Sequence, residues 1–484
     1  MSGAVDISGR VSAALADGPV AAVNGALDGS TATWLVGGSV RDVLLGRPVT
    51  DIDLAVNGDA RAVARAIHER LHGDIFSMSE RFGTWRVSPQ GTDLQIDITA
   101  LRGETIEQDL AMRDFTINAM AVSLGPGTRE SSNPIDLFGG LEDLAGSTLR
   151  VLGESAYTDD PLRPLRLPRF AATLGFAPDA ETARLTKLHA AGITEAAAER
   201  QFAELRALVL SDGVLRGLSL LEELGLLPAL VPELIELHGV EQSVYHHLDA
   251  FDHTIEVLVR LIELVDDPGQ VFAADADRLK ALLDQPLADE MTRGQALRFV
   301  ALLHDIAKSR TRTVFDNGHV GFPDHDRQGA ELARTICRRF NVSDRFTQFV
   351  SAITRHHLDL GFLVHQRPLP PRTIYRYLRS CEPVEVEVGV LSVADRTATR
   401  GRKADESIDS HLELARELNR AALDWRASGK AEPLVRGDLL ARELGIDPGP
   451  QLGRLLEAIA EARYAGELST ADEAIAFARS GGGL

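Results

Sequence analysis

Two aspartates one residue apart, Asp51 and Asp53, are the first residues whose spacing points to chemistry. They open the stretch DIDLAV (51–56), whose apolar residues predict a strand. Side chains two apart on a strand share a face, with Cα atoms roughly 6.6 Å apart at ~3.3 Å per residue. Two carboxylates on one face can bridge divalent cations in a two-metal site.

A glycine pair, Gly37 and Gly38, ends a short apolar strand predicted for residues 34–36. Its backbone N–H groups can face a ligand, and we expect Ser39 to cap the helix that follows. Such a loop lies at a positive helix N-terminus, which favours phosphate. Glycines for a triphosphate and carboxylates for magnesium together indicate nucleotidyl transfer.

A third carboxylate, Asp97, lies in LQIDITAL, which alternates like a strand paired with TWRVSP. On an adjacent strand it would complete a metal-binding triad, and we favour this role over that of an exposed aspartate at a sheet edge. Arg113, Asp114 and Asn118 follow in DLAMRDFTINAMAV. The i, i+4 spacing of Asp114 and Asn118 predicts one helical face, which suits ribose hydroxyls and a base edge.

An arginine row runs through TDDPLRPLRLPRFAATLGF, with Arg163, Arg166 and Arg169 at intervals of three after Asp160. Asp160 as N-cap followed by Pro161 at the first helical position is a strong helix start. Such a row is ordinarily a solvated face, but planar guanidinium groups also offer donors to a nucleotide base.

A second group of chemistry-bearing residues occupies the later half of the chain. Helical spacing from Leu297 places His304 on a buried stripe. A single histidine there is more often a satisfied core residue. A divalent metal site is favoured because histidine and aspartate recur in order at six positions, namely His253, His304, Asp305, His325, His356 and Asp395.

The strands and helices predicted around these residues indicate an α+β protein, in which a small mixed sheet is followed by mostly helical segments. We divide the chain into a leader (1–30), a mixed head (31–145), a helical neck (146–236), a histidine-bearing body (237–405) and a helical tail (406–484).

Composition limits the classes of protein. Of the 484 residues 44% are hydrophobic, and the only cysteines are Cys337 and Cys381, so we expect several buried cores, no disulfide framework and a reducing cytoplasm. Neither a signal peptide nor an apolar run near the ~20 residues of a membrane span is present, so we predict no membrane association.

The net charge of −20 argues against a nucleic-acid partner, because phosphate contacts dominate such binding. Arginine clusters at 367–379 and 396–403 nevertheless leave room for local basic surface beside acidic helices. A solvated face is an equally good interpretation of these clusters.

Three motifs taken together resemble bacterial class II tRNA nucleotidyltransferases and poly(A) polymerases, of the DNA polymerase beta superfamily: GGSVRDVLLGRPVTDIDL, RDFTINAMA and DDPLRPLRLPRFAATLGF. The similarity spans residues 31 to about 240. It implies a nucleotidyltransferase head, neck, body and tail, and template-independent addition of CMP and AMP, from CTP and ATP, to tRNA 3′ ends.

The same resemblance implies roles for individual residues. Asp51 and Asp53 would hold two Mg²⁺ ions, beside Asp97, which its predicted strand position makes the third catalytic carboxylate. Asp160 and Arg163 would pair with the incoming base in place of a template. The nucleotide-binding set would comprise Gly37, Gly38, Arg41, Arg113, Asp114, Asn118, Asp160 and Arg163, to which the arginine row adds Arg166 and Arg169.

The order of the later histidines and aspartates resembles the HD phosphohydrolase superfamily over residues 245 to 400. The implied ligands of a divalent metal of unknown identity are His253, His304, Asp305 and Asp395, with His325 and His356 available for a second metal. Such a domain either hydrolyses phosphoesters at tRNA ends or serves as the body that grips the tRNA. No protein partner is predicted.

Met112, Pro164 and Pro168 depart from the family pattern. Met112 replaces an arginine, and prolines inside a helix cost ~3 kcal/mol or more and re-aim the preceding residue. Three alternatives therefore stay open beside CCA addition. They are a poly(A) polymerase, a partial enzyme adding only CC or only A, and an RNA-binding protein with a degenerate head and an active HD hydrolase.

Overall fold

The computed structural model describes residues 7–79, 83–128, 133–242, 248–399, 404–428 and 432–481. The chain forms two compact units, Met1–Leu230 and Val231–Leu484, called here the first and the second unit. The predicted α+β class is confirmed, because one mixed sheet lies in the first unit and helices dominate the rest.

Among the described residues, the first unit has a seven-stranded sheet in the order β3-β4-β5-β2-β1-β6-β7. β2 and β5 run parallel, and the other neighbours run antiparallel. The strands are β1 (Ala32–Val36), β2 (Asp51–Asn57), β3 (Gly73–Ser79), β4 (Thr84–Pro89), β5 (Gln95–Ala100), β6 (Met120–Leu124) and β7 (Ile135–Asp136).

Alternation within β2 explains how the sheet presents its acidic residues. Ile52 and Leu54 are buried, whereas Asp51 and Asp53 lie on the opposite, exposed face. β5 shows the same pattern, with Ile96 and Ile98 in the core. The predicted strand pair TWRVSP and LQIDITAL is confirmed as β4 and β5.

Helices pack against the sheet and make up most of the chain that follows it. α8 packs against α10 and α11 in the neck, where two short strands, β8 (Thr148–Leu149) and β9 (Ala177–Pro178), also pair. The helices of the first unit are α1 (Ile7–Ala16), α2 (Gly18–Ala26), α3 (Gly38–Leu45), α4 (Ala60–Leu71), α5 (Ile106–Ala111), α6 (Gly140–Ala145), α7 (Ser155–Asp159), α8 (Arg163–Leu174), α9 (Ala180–His189), α10 (Ala198–Val209), α11 (Val214–Glu223) and α12 (Leu227–Leu230).

The predicted helix start at Asp160 and Pro161 is wrong, because α7 ends at Asp159 and α8 begins at Arg163. Asp160 instead closes the turn between them, accepting hydrogen bonds from the backbone N–H groups of Leu162 (3.2 Å) and Arg163 (3.0 Å).

The two prolines of α8 do not interrupt it. Pro164 falls in the first turn, where backbone N–H groups have no intrahelical partner, so its missing donor costs nothing. Pro168 lies inside the helix, which nevertheless continues to Leu174. The buried Leu165 and Phe170 anchor this helix in the core.

The second unit is helical, with two short strand pairs: β10 (Pro286–Ala288) with β11 (Met291–Thr292), and β12 (Thr313–Val314) with β13 (Val320–Gly321). Its helices are α13 (Pro232–Ile235), α14 (Ala250–Asp266), α15 (Gly269–Phe272), α16 (Ala276–Leu283), α17 (Arg293–Leu303), α18 (Lys308–Thr311), α19 (His325–Arg339), α20 (Asp344–His356), α21 (Asp359–Leu363), α22 (Pro371–Cys381), α23 (Glu385–Ala398), α24 (Ala404–Ser428), α25 (Gly437–Leu444), α26 (Pro450–Tyr464) and α27 (Ala471–Arg479).

α23 is the central helix of this unit, buried over most of its length and packed between α14 and α24. It carries two buried carboxylates, Glu385 and Glu387, which accept hydrogen bonds from Arg426 of α24 at 2.9 and 3.1 Å. Arg293 also pairs with Glu387. Because an unpaired buried charge is costly, these bonds tie α17 and α24 to the central helix.

The arginine cluster at 367–379 is paired with acidic residues rather than left free. Arg372 and Arg376 bind Glu467 and Glu461 of the tail, and Arg367 binds Glu413. Arg400, Arg402 and Lys403 of the other cluster lie outside the described residues. None of the described helices combines the length and apolar character needed to cross a bilayer.

Candidate functional site

Three carboxylates meet on one face of the sheet. Asp53 of β2 is the direct register partner of Asp97 of β5, and Asp51 stands opposite Gln95. Side chains of register partners project to the same side of a sheet. The structure therefore places Asp51, Asp53 and Asp97 at the same edge of the parallel strand pair.

Ser39 fastens the strand between the two aspartates. Its Oγ donates to the backbone carbonyl of Asp51 (3.0 Å) and accepts from the backbone N–H of Asp53 (2.8 Å). The prediction that Ser39 caps α3 is wrong, because the N-cap is Gly37 and the Ser39 hydroxyl is taken up by β2. The start of α3 and the carboxylate pair are thereby held as one piece.

Gly37 occupies a position that strongly favours glycine. Its φ is +69°, and an added Cβ would stand 2.7 Å from Nη1 of Arg113. The same Cβ would lie 3.8 Å from Oδ2 of Asp53. Glycine therefore lets the Arg113 guanidinium approach both the loop and the carboxylates.

Arg86 is a site residue that the sequence reasoning missed. It lies opposite Asp97 on β4, and its Nε and Nη2 donate to the two Asp97 oxygens at 2.6 and 2.7 Å. This two-pronged bond fixes the Asp97 carboxylate in one orientation. The cross-strand pairing of TWRVSP with LQIDITAL would have revealed it, had the register been known.

The electrostatics of the trio favour a bound cation. The crowded setting raises the pKa of Asp53 by desolvation, Arg113 opposes this, and the nearby Asp97 and Asp51 raise the pKa further. The Asp53 side chain still reaches solvent. Mutual repulsion of oxygen ligands at an open edge is the condition that a hard divalent cation relieves.

A chain of polar contacts leads from the α3 helix to the neck. Arg41 donates to Asn118 (2.8 Å), and Asn118 donates to Asp114 (3.1 Å). Asp114 also forms an ion pair with Arg166 of α8. Burial alone would raise the pKa of Asp114, but Arg166 and Asn118 outweigh it and lower that pKa.

Asp114 and Asn118 lie close together, but the predicted shared face of one α-helix is wrong. α5 ends at Ala111, and Thr116–Asn118 forms a single 3₁₀ turn. The two side chains meet because the backbone N–H of Asn118 donates to the carbonyl of Phe115 (2.9 Å), which folds the segment into a tight turn.

Phe170, which the sequence reasoning did not single out, gathers three arginines of the predicted set. The guanidinium carbons of Arg41, Arg166 and Arg169 lie 5.4, 5.2 and 4.0 Å from its ring centroid. These distances are within the range of cation–π contacts. Arg169 is also paired with Glu204.

Asp160 and Arg163 are both engaged within the first unit. The Asp160 carboxylate accepts from Arg200 at 2.7 and 3.3 Å. Arg163 is buried and donates to the carbonyls of Met112 (2.8 Å) and Ala156 (3.0 Å). Arg200 is thus a second residue that the sequence reasoning missed.

The second unit brings together residues from five helical segments. His253 comes from α14, His304 and Asp305 follow α17, and His325 begins α19. Two groups of ligand atoms result, each with its members within 4.8 Å of one another: His253, His304 and Asp395, and Asp305, His325 and His357.

Three of these histidines share one orientation. Nδ1 of His304, His325 and His357 lies 2.8, 2.7 and 2.7 Å from the backbone carbonyl three residues earlier. Nδ1 therefore donates to the backbone, and Nε2 is directed at the centre of the cluster. Metal-binding histidines are oriented in the same way.

The cluster has the features of a metal centre. The Nε2 atoms of His325 and His357 lie 3.3 Å apart. Oδ1 of Asp305 is buried without a hydrogen-bond partner among the described residues, 3.4 and 3.6 Å from those nitrogens. A cation between these atoms would satisfy all three.

His357, and not the predicted His356, belongs to this cluster. His356 instead lies beside Asp359 and Cys381. The signal was present in the sequence, because Phe346, Val350 and Ile353 form the buried stripe of α20. His357 continues that stripe at helical spacing, whereas His356 points away from it.

Lys308 neutralises part of the acidic charge in the cluster. Its Nζ lies 2.6 Å from Oδ2 of Asp305. Burial alone would raise the pKa of Asp305, but His304 and Lys308 hold that pKa well below its usual range. Asp305 is therefore ionised and able to bind a cation. Lys308, three residues after Asp305, was also missed by the sequence reasoning.

Family models match three parts of the chain. Residues 33–150 match the poly(A) polymerase head domain, and residues 175–237 match a probable RNA- and SrmB-binding site of polymerase A. Residues 250–400 match the HD domain. The range of the head domain contains the carboxylate trio, and the range of the HD domain contains the histidine cluster.

Curated relatives cover almost the whole chain. An A-adding tRNA nucleotidyltransferase of Deinococcus radiodurans is 35% identical over 92% of this chain and 94% of its own. A CC-adding tRNA nucleotidyltransferase of Thermus thermophilus is 32% identical over 91% and 92%. The solved structure of a CCA-adding enzyme with CTP shares the fold, with a TM-score of 0.64, 21% identity and 98% coverage of both chains.

Proposed function

Because this chain belongs to the family of bacterial tRNA nucleotidyltransferases with an HD domain, we propose that it adds CMP and AMP, from CTP and ATP, to tRNA 3′ ends without a template. The observation that carries this proposal is the carboxylate trio beside the Gly37 loop. The trio supplies oxygen ligands for metal ions next to the Gly37 loop, where a triphosphate can approach the backbone.

Asp51 and Asp53 are the proposed ligands of two Mg²⁺ ions, with Asp97 as the third carboxylate. When bound, such ions supply positive charge at the triphosphate and lower the pKa of the attacking 3′-hydroxyl group. Arg86 holds Asp97 in place, and Ser39 holds β2 against α3. The chain therefore contributes a rigid frame, since phosphoryl transfer depends mostly on positioning and charge stabilisation.

Arg41 and Arg113 are proposed to bind the triphosphate with Gly37 and Gly38. Arg41 lies against Phe170, and Arg113 is held by Asp109 at 2.9 Å. Both guanidinium groups are therefore oriented before the nucleotide binds, which lowers the entropy cost of binding.

Asp114, Asn118, Arg166 and Arg169 are proposed to position the ribose and base. Asp160 and Arg163 are proposed to read the base edge, as the family resemblance implies. For Asp160 this requires exchange of its bond with Arg200 for a bond with the nucleotide. The continuous α8 helix supports a functional head rather than a degenerate one.

A second candidate is addition of A alone. It is favoured by one observation, the 35% identity to an A-adding enzyme. Because the chain is also 32% identical to a CC-adding enzyme, sequence identity alone does not distinguish partial from complete addition.

The histidine cluster is proposed to hold divalent metal ions of an HD phosphohydrolase through His253, His304, Asp305, His325, His357 and Asp395. Hydrolysis of phosphoesters at tRNA ends is the activity that this donor set supports. We expect the protein to work in the cytoplasm, where its two unpaired cysteines stay reduced.

The test is a gel assay with Mg²⁺ and three tRNA substrates, ending before CCA, after CC, or complete. CTP and ATP are supplied separately and together. Addition of CCA that then stops is the expected result. Addition of A alone to the CC-ending substrate would favour the second candidate, and a long A tail would identify a poly(A) polymerase. No addition by a folded protein that binds tRNA would overturn the proposal.

A further inference from the structure

His356, Asp359 and Cys381 form a third cluster in the second unit, separate from the histidine centre. Nδ1 of His356 lies 2.8 Å from Oδ2 of Asp359, and Sγ of Cys381 lies 3.8 Å from the same oxygen. All three ligand atoms lie within 4.8 Å of one another. Neither the nucleotidyl transfer nor the HD chemistry proposed above uses them.

The donor set differs in kind from the other two centres. The head offers carboxylate oxygens, and the HD cluster offers imidazoles and carboxylates. This cluster adds a sulfur atom, since Cys381 ends α22 with its side chain 1% exposed. Soft thiolate ligands together with imidazole select Zn²⁺ over Mg²⁺.

A further polar group, Tyr377, lies on the same helix as Cys381. Tyr377 and Cys381 are four residues apart on α22 and so share a helical face. The Tyr377 hydroxyl is buried and has no hydrogen-bond partner among the described residues. Burial raises the pKa of this hydroxyl well above its usual value, and the nearby Cys381 and Asp359 add to the effect.

We propose that His356, Asp359 and Cys381 bind one zinc-class divalent cation. Around a tetrahedral Zn²⁺, bond lengths of about 2.3 Å to sulfur and about 2.0 Å to oxygen place those two atoms about 3.5 Å apart. The observed 3.8 Å between Sγ and the carboxylate oxygen is close to this separation. Binding replaces the proton of the thiol, which passes to solvent.

The cation would join three elements. His356 ends α20, Asp359 begins α21 and Cys381 ends α22. The side chains of His356 and Asp359 are 22% and 32% exposed, so an ion can reach the cluster from solvent. Because His357 is the next residue, the site would also fix the end of α20 that carries an HD ligand.

The test is a Co²⁺ titration of the full-length protein, freed of metal by a chelator and kept reduced. A Co²⁺–thiolate bond gives a charge-transfer absorption band that carboxylate and imidazole ligands do not give. The band therefore reports on this site alone, even when Co²⁺ also fills the other two centres. At saturation, we expect the band intensity to correspond to one thiolate-bound Co²⁺ ion per protein molecule. The band should disappear when Zn²⁺ is added.

Two buried cysteines provide a matched pair of variants. Cys381→Ala should abolish the band, and Cys337→Ala should leave it unchanged. Asp359→Asn, a partly exposed position that need not affect folding, should raise the half-saturating Co²⁺ concentration at least about tenfold. No band in the wild type, a band that survives Cys381→Ala, or a band that requires Cys337 would overturn the proposal.

Discussion

The carboxylate trio and the histidine cluster would hold the proposed cations in opposite ways. The trio uses two adjacent strands, and its Asp51 and Asp53 side chains remain open to solvent. The histidine cluster draws on helices far apart in the chain, and His304 and Asp305 are almost fully buried. One site is local and open, and the other is assembled and enclosed.

This difference agrees with the chemistry proposed for each site. Mg²⁺ prefers oxygen ligands and keeps several waters, so an open strand edge suits an ion that arrives with a triphosphate. Imidazole ligands suit transition metals, which stay in place in an enclosed centre. The two centres should therefore respond independently to substitution.

The largest effect that this comparison predicts is for Asp53→Asn. The substitution keeps the shape of the side chain and removes a charge where cations must bind, so addition of nucleotides should fall at least about 10³-fold. Pyrophosphate release from CTP or ATP with tRNA measures it. Activity within about tenfold of wild type would show that Asp53 is not a ligand.

The histidine cluster provides the next effect, through His357. His357→Gln should lower Mn²⁺- or Ni²⁺-dependent hydrolysis of a chromogenic phosphodiester about 10–100-fold, because a metal ligand is lost. His365→Gln, the matched control, should stay within about twofold, since His365 is exposed and lies outside this cluster.

Both variants should add nucleotides to tRNA at the wild-type rate if the centres are independent. Loss of addition in a folded His357→Gln protein would show that the HD domain is required for tRNA placement. A wild-type protein without hydrolysis under any of these metals would contradict the HD activity itself.

Arg86→Lys tests the frame of the trio rather than its ligands. Lysine keeps the charge but cannot grip both oxygens of Asp97, so the turnover number should fall about tenfold while the KM for CTP stays constant. Steady-state kinetics measures both quantities. An unchanged turnover number would mean that the orientation of Asp97 does not matter.

The parts of the fold that follow local rules could be predicted from the sequence. The alternation around Asp51 and Asp53 gave β2 and its exposed acidic face, and helical spacing placed His304 in the core. The pairing of TWRVSP with LQIDITAL was predictable from pattern, but its register was not, so Arg86 was missed.

Contacts between distant segments explain the predictions that were wrong. Ser39 has the composition of a cap, but its hydroxyl bonds β2 instead of the helix end. α8 begins only after the turn that Asp160 closes. Pro164 therefore lies in the first turn of the helix, where its missing N–H group breaks no hydrogen bond. Neither outcome is encoded in the few residues around those positions.

The smallest predicted effect concerns acid stability, which should differ between the units because of a buried histidine in the second. Burial lowers the pKa of His411 from 6.5 to about 4, and its Nε2 lies 3.0 Å from the Ser392 hydroxyl. The folded state therefore binds fewer protons than the unfolded state between these values. The stabilisation is complete above pH 6.5 and is lost as the pH falls towards 4.

Between about pH 7.5 and about pH 6 this one residue should lower the free energy of unfolding of the second unit by about 0.8 kcal/mol. His411→Gln keeps a nitrogen near Ser392 and does not titrate, so its pH dependence should be flatter by that amount. Urea unfolding followed by the fluorescence of Trp425 measures the second unit once Trp34 and Trp85 of the first unit are replaced by Phe. Equal slopes for the two proteins would mean that His411 does not contribute to the acid sensitivity of the second unit.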